Sequence, residues 1–100
     1  MKQIFQGDIL LIENIKLPVL VISKDCFNKS GEIIACPIFN QGEPGPLHIG
    51  IKTSKTKGFV HCEKLKLFDM SVRGFTKIDR ISIEKLIDIS DAVQGIFDYV

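Results

Sequence analysis

This chain lacks the cysteine pattern of a disulfide-stabilised small protein and that of a metal-binding small protein. The 100 residues include three cysteines, Cys26, Cys36 and Cys62. They are odd in number and widely separated, with no C-x-x-C pair and no second ligand at metal spacing. We therefore expect reduced thiols, with no disulfide framework and no metal site.

The sequence also lacks an excess of charge of one sign and any long apolar run. Its formal net charge is +1, so no global field marks it as a nucleic-acid binder. No apolar stretch approaches the roughly 20 residues that a membrane-spanning helix needs. The N-terminus carries Asp8 within its apolar part and does not resemble a signal peptide. We expect a soluble cytoplasmic protein with no membrane partner.

Apolar residues, in contrast, are abundant. Hydrophobic residues make up 45% of the chain and charged residues 25%, which is typical of a globular protein with a well-filled core. A chain of this length forms one core of ordinary size. Residues 1–100 are therefore predicted to be a single domain that folds alone or as a dimer.

Hydrophobic patterning predicts a mainly β protein with a helix at its C-terminal end. Short β-type runs are separated by turn residues, among them Gln41–Pro46 with two glycines and two prolines. Beyond Ser82, which suits an N-cap, apolar residues recur at three- and four-residue steps up to Val100. The predicted strands are 9–13, 19–23, 32–38, 47–51, 59–68 and 76–81. The simplest architecture is a curled antiparallel sheet with one packed helix.

His61 and Glu63 stand two residues apart inside a predicted strand. Side chains at i and i+2 of a strand point to the same face, so these two would project together while Cys62 points away. An imidazole beside a carboxylate is an acid/base pair, and cleavage of RNA through its own 2′-hydroxyl needs such a pair and no cofactor. The alternative is two ordinary residues on the solvent side of a half-exposed strand.

Basic residues cluster locally although the whole chain is nearly neutral. They either follow a phosphate backbone or keep an edge strand soluble. The cluster consists of Lys52, Lys55, Lys57, Lys64 and Lys66.

Several segments, in order, resemble the MazF/PemK/Kid family of bacterial toxins. Gly7–Ile9 resembles the opening Gly-Asp/Glu strand of the family, and Pro18–Ser23 its R-P-V-L-V-I-S strand. Cys36–Ile38 is similar to V-P-I/V, and Gly58–Glu63 to the G-V-V-R-C-D segment of the Kid branch. Phe68–Gly74 resembles I-D-M-x-x-R-G, so the likeness covers nearly the whole chain.

This resemblance implies a fold, an activity and partners. The expected fold is the small SH3-like, PemK-type curled antiparallel barrel. The implied activity is endoribonucleolytic cleavage of single-stranded RNA without metal or cofactor, by a homodimer that an antitoxin protein silences. DNA binding is a further expectation that the family brings.

The chain departs from the family pattern where the chemistry lies. Leu17 replaces the family's phosphate-contacting arginine, and Phe39 replaces its threonine. Lys16 is adjacent but, one residue offset, is expected to point to the opposite face. The loop at Asn14–Leu17 is shortened, which removes a histidine that Kid-type members use.

The pair that survives is His61 and Glu63, at the positions of the Kid-type arginine and aspartate. The implied roles are Glu63 as the base and His61 as the acid. Phosphate or RNA contacts are expected from five residues: Lys16, His48, Lys64, Lys66 and Arg73. Asp69 is expected to tie down its turn through hydrogen bonds.

Two other interpretations stay open. One is a catalytically inactive family member that binds RNA or protein through the same groove, which the absent arginine and threonine favour. The other follows the gyrase-poisoning toxins of this fold, whose contact would correspond to Phe97–Val100.

Overall fold

The computed structural model describes residues 3–98. Its elements, in chain order, are β1 (Asp8–Ile12), β2 (Val19–Val21), α1 (Asp25–Asn28), β3 (Glu32–Phe39), β4 (His48–Lys52), β5 (Lys57–His61), β6 (Lys66–Asp69), β7 (Phe75–Arg80) and α2 (Ile83–Gly95). The mainly β prediction with a C-terminal helix is confirmed.

One antiparallel sheet contains all the described strands. Along the sheet the order is β4-β5-β3-β2-β1-β7, and β6 pairs separately with β3. The first half of β3 pairs with β6, with Glu32 opposite Asp69, whereas its end pairs with β5, with Phe39 opposite Phe59. Because one strand pairs with both at different points along its length, the sheet curls into a half-barrel.

The central strands are buried on both faces, which explains their nearly continuous apolar sequences. Ile9 and Leu20 pack on the side of α2, while their neighbours Leu10 and Val21 pack on the other side against β6. All four of these side chains are fully buried. The alternation expected of a strand therefore separates two apolar clusters, one under α2 and one under β6.

The C-terminal helix begins where the sequence predicts. The Ser82 side chain accepts a hydrogen bond from the Lys85 backbone N–H at 3.3 Å, as an N-cap does. Leu86 and Ile89 are buried against the sheet. The helix ends at Gly95, so Phe97 lies beyond it, and the predicted terminal contact at Val100 falls outside the described residues.

Two local predictions are wrong. The single strand predicted over 59–68 is two strands, because a turn separates β5 from β6: the Lys64 N–H bonds the His61 carbonyl at 3.1 Å. The turn predicted at Lys24–Gly31 contains the short helix α1, whose last residue, Asn28, is buried. Its side-chain amide donates to the carbonyl oxygens of Ile4 and Ser23, and these bonds hold the turn as a helix.

Candidate active site

His48 and His61 lie opposite each other on the β4–β5 hairpin. The register pairs their Cα atoms directly across the two strands. Their rings stack, with centroids 3.8 Å apart and planes inclined by 13°. The predicted RNA contact His48 therefore lies directly against His61.

Glu63 lies in the turn after β5, not on a strand with His61. Its Oε2 atom is 2.7 Å from Nε2 of His48, and both side chains are about one-third exposed, 35% for His48 and 36% for Glu63. The prediction that Glu63 shares a strand face with His61 is therefore wrong, because the strand ends at His61. The proximity it predicted is still present: one donor atom from each of His48, His61 and Glu63 lies within 4.8 Å of the others. We call these three residues the histidine–glutamate cluster.

The cluster shifts the ionisation of two of its members. The pKa of Glu63 is lowered mainly by its hydrogen bond with His48. The carboxylate of Glu63 is therefore ionised and can only accept, so Nε2 of His48 is the donor in this bond. Desolvation, followed by repulsion from His48, lowers the pKa of His61. The neutral imidazole is thus the favoured form of His61.

His61 presents its two ring nitrogens differently. Among the residues that the structure describes, Nδ1 is buried and has no hydrogen-bond partner. A buried polar atom without a partner is costly in a folded protein. A substrate therefore cannot reach His61 through Nδ1.

Phe39 covers the other face of His61. The two ring centroids are 4.0 Å apart, and the ammonium of Lys64 lies 4.7 Å from the Phe39 centroid. At the threonine position of the family, Phe39 therefore packs against the imidazole of His61 from β3, while His48 packs against it from β4. A phenyl ring carrying a nearby ammonium also favours the approach of a negatively charged group.

A groove of about 420 Å³ is lined by apolar side chains and by lysines, one of which, Lys64, follows Glu63 directly in the chain. Three of the predicted RNA contacts, Lys16, Lys64 and Lys66, line it. Leu17 lines it too, so Lys16 and Leu17 both border the same groove, and the expectation of opposite faces lacks the strand that it assumed. Residues 13–18 form no strand, and the two-residue alternation does not apply to them. Lys64 belongs both to the groove and to the stack over His61.

Arg73 lies apart from this centre. Its guanidinium carbon is 5.9 Å from the ring centroid of Phe68, and within residues 3–98 no hydrogen bond or ion pair joins it to the cluster. Asp69 accepts hydrogen bonds from the backbone N–H and hydroxyl of Ser71, which ties down the turn as predicted. Phosphate binding by Arg73 stays a prediction that these contacts do not support.

The partnership of His48 with Glu63 was missed at the sequence level. Thr53 N–H bonds the Thr56 carbonyl at 2.8 Å and closes the hairpin between β4 and β5. Thr53 and Thr56 face each other across this turn, and five residues further along each strand His48 faces His61. The polar turn and the two apolar runs beside it were the signal that could have revealed the pair.

Together, the curled antiparallel sheet and the C-terminal helix that covers it define a class of small barrel-like proteins. Residues 6–97 match the model of the PemK-like, MazF-like toxins of type II toxin–antitoxin systems. The chain belongs to this family.

Solved structures agree on the fold. The chain is similar to MazF in a MazE–MazF crystal structure (form II) from Deinococcus radiodurans, with a TM-score of 0.88, 15% identity and 100% of each chain covered. A second MazE–MazF form from that organism gives a TM-score of 0.86 at 17% identity, covering 96% of this chain and 97% of that chain. An endoribonuclease in complex with its cognate antitoxin from Mycobacterial species is similar with a TM-score of 0.80 and 13% identity. The match covers 97% of this chain and 99% of that chain. No curated protein matches the sequence.

Within the described part of the chain, no helix is long and apolar enough to cross a membrane.

Proposed function

We propose that this protein is the toxin of a type II toxin–antitoxin system and cuts single-stranded RNA through the RNA's own 2′-hydroxyl, without a metal ion. The observation that carries the proposal is the histidine–glutamate cluster, to which Lys64 is connected through Phe39, together with a groove that Lys16, Lys64 and Lys66 line. A similar structure described as an endoribonuclease supports the same activity. An acid, a base and a cationic binding surface are what this reaction requires.

The geometry favours a division of roles that differs from the first expectation. Glu63 was expected to be the base, but it accepts a hydrogen bond from His48 and its pKa is lowered, both of which make it a weak base. His61 is favoured in its neutral form, and because its Nδ1 is buried we assign the contact with substrate to Nε2. We assign the base to His61 and the acid to His48, with Glu63 orienting His48.

The reaction then proceeds by in-line displacement. Nε2 of His61 takes the proton of the 2′-hydroxyl as the 2′-oxygen attacks phosphorus. The bond from phosphorus to the 5′-oxygen breaks, and His48, acting in its doubly protonated form, gives that oxygen the proton of Nδ1 while Glu63 holds the Nε2–H. The products are a 2′,3′-cyclic phosphate and a 5′-hydroxyl. Lys64, whose charge contributes to lowering the pKa of His61, would stabilise the charge that develops on phosphate.

The expected partners follow from the family. Crystal structures of similar chains contain an antitoxin, and we propose an antitoxin partner for this protein as well. Homodimer formation, binding of RNA, binding of DNA and a cytoplasmic location stay predictions.

The first test is cleavage of a long mixed-sequence single-stranded RNA by the purified protein in chelator. We expect discrete fragments that end in 2′,3′-cyclic phosphate from the wild type, and at least about 100-fold slower cleavage by His61→Ala and by His48→Ala. Glu43→Gln, which changes an exposed carboxylate in the loop before β4, is the matched control and should cleave like the wild type. Equal cleavage by all four proteins would reject the site, and intact RNA would reject the activity.

A second candidate function is RNA or protein binding without catalysis. Leu17 in the groove favours it, because the phosphate-contacting arginine of the family is missing there. This alternative predicts RNA binding by the wild type that His61→Ala leaves unchanged, with no cleavage by either protein.

A further inference from the structure

We infer that the histidine–glutamate cluster is a binding site for a divalent transition-metal ion, with Zn²⁺ as the representative ligand. One donor atom from each of His48, His61 and Glu63 lies within 4.8 Å of the other two. Ligands of a tetrahedral zinc ion that bind at about 2.0–2.2 Å stand roughly 3.3 Å apart. The donors therefore need to move by about 1.5 Å at most, which side-chain rotation can supply.

The scaffold of the site is rigid, while its donors are accessible. His48 and His61 occupy directly opposed positions of the β4–β5 ladder, so their backbones are fixed relative to each other. His48 and Glu63 are each about one-third exposed, at 35% and 36%, which leaves an approach for an ion and for water as a further ligand. The side chains must rearrange in one respect: the stacked rings, inclined by 13°, have to rotate so that their lone pairs converge.

The contact between His48 and Glu63 suits replacement by a cation. A ring nitrogen and a carboxylate oxygen stand 2.7 Å apart with a proton between them. A metal ion that binds both atoms takes the place of this proton and widens the gap by about half an ångström. Two nitrogen donors and one oxygen donor favour Zn²⁺, Cu²⁺ or Ni²⁺ over Mg²⁺ and Ca²⁺, which prefer oxygen ligands.

Occupation of this site has a consequence that rests on the proposed function. A metal ion would take the lone pair of His61 that the base needs, and it would displace the hydrogen bond through which Glu63 orients His48. Zn²⁺ should therefore inhibit RNA cleavage by a protein that needs no metal to cleave.

The test is titration of the protein with Zn²⁺ by calorimetry, with Co²⁺ as a spectroscopic probe whose visible absorption reports nitrogen ligation. The protein is purified without a polyhistidine tag and carries Cys26→Ser, because Cys26 is an exposed thiol that would compete for the ion. We expect one Zn²⁺ per chain, with affinity reduced by about tenfold or more in each of His48→Gln, His61→Gln and Glu63→Gln. Glu43→Gln, an exposed carboxylate outside the cluster, should bind like the parent.

The outcomes separate this inference from the proposed function. Equal Zn²⁺ affinity in the parent and the three cluster variants would overturn the metal site, provided that circular dichroism shows all of them folded. Zinc binding at the cluster by a protein that leaves RNA intact in chelator would keep the site and reject the ribonuclease. Cleavage that Zn²⁺ does not inhibit although the site is filled would reject the inhibitory effect.

Discussion

A Cβ atom built on Gly58 would lie 2.3 Å from the backbone carbonyl oxygen of Phe39. No real side chain tolerates this distance, so β5 can approach β3 this closely only because residue 58 is glycine. The close approach has a functional consequence, because Phe39, at the end of β3, packs against the ring of His61, at the end of β5. The backbone contact thus holds the imidazole of the proposed base against its aromatic support.

Gly58→Ala is expected to destabilise the protein by roughly 1–3 kcal/mol, since the strand must move away from Phe39. The matched control is Gly95→Ala at the end of α2, where an added Cβ meets nothing within 4 Å. That change should stabilise the protein by up to about 1 kcal/mol through helix propensity. Urea unfolding of both variants measures the difference, and equal stabilities would contradict the argument.

His61 should titrate below the ordinary histidine value, and neighbouring substitutions should move its pKa in opposite directions. His48 and Lys64 both lower the pKa of His61, while Glu63 raises it. His48→Gln and Lys64→Met should therefore raise this pKa, and Glu63→Gln should lower it. Proton NMR of the His61 ring checks each direction. A shift of the same sign in all three variants would show that the charges do not act as described.

The stability of the fold should fall as the pH drops below about 6.5. His61 has a folded-state pKa below its unfolded value, so the unfolded chain binds more protons in this range. Its stabilising contribution is complete above the unfolded pKa and is lost as the pH falls towards the folded one. Glu63, whose pKa is also lowered, acts with the same sign at lower pH. Denaturant unfolding between pH 7.5 and 5 should show a flatter profile for His61→Gln than for the wild type.

The three cysteines should differ sharply in reactivity. Cys26 is exposed, whereas burial raises the pKa of Cys36 to about 12 and that of Cys62 to about 11. At neutral pH the buried pair stays protonated and inaccessible, so it is a poor nucleophile. A thiol reagent such as Ellman's should modify one group per native chain and three after denaturation. Fast reaction of a second thiol in the native protein would mean that the core opens locally.

Sequence reasoning was sufficient for the sheet, because buried strands and an amphipathic helix with its Ser82 cap follow from local patterns. It failed where a tertiary contact decides the local structure. The turn that separates β5 from β6 begins at Cys62, whose backbone N–H bonds the Leu47 carbonyl at 2.8 Å. Nothing in the run 59–68 reveals that bond. Likewise, the link from Glu63 to His48 spans 15 residues and depends on the hairpin register.

Leu17 offers a test of the groove as an RNA-binding surface. It lines the groove with Lys16, Lys64 and Lys66 and stands where the family resemblance expects an arginine. In a His61→Ala background, which prevents cleavage, Leu17→Arg should add one phosphate contact. We expect it to tighten binding of a single-stranded RNA several-fold at low salt and to steepen the dependence of log K on log salt by about 0.7.

Leu17→Met is the control, because it conserves size and adds no charge. Fluorescence anisotropy at several salt concentrations measures both effects. A gain that is equal in the two variants, or that does not depend on salt, would place the RNA elsewhere on the protein.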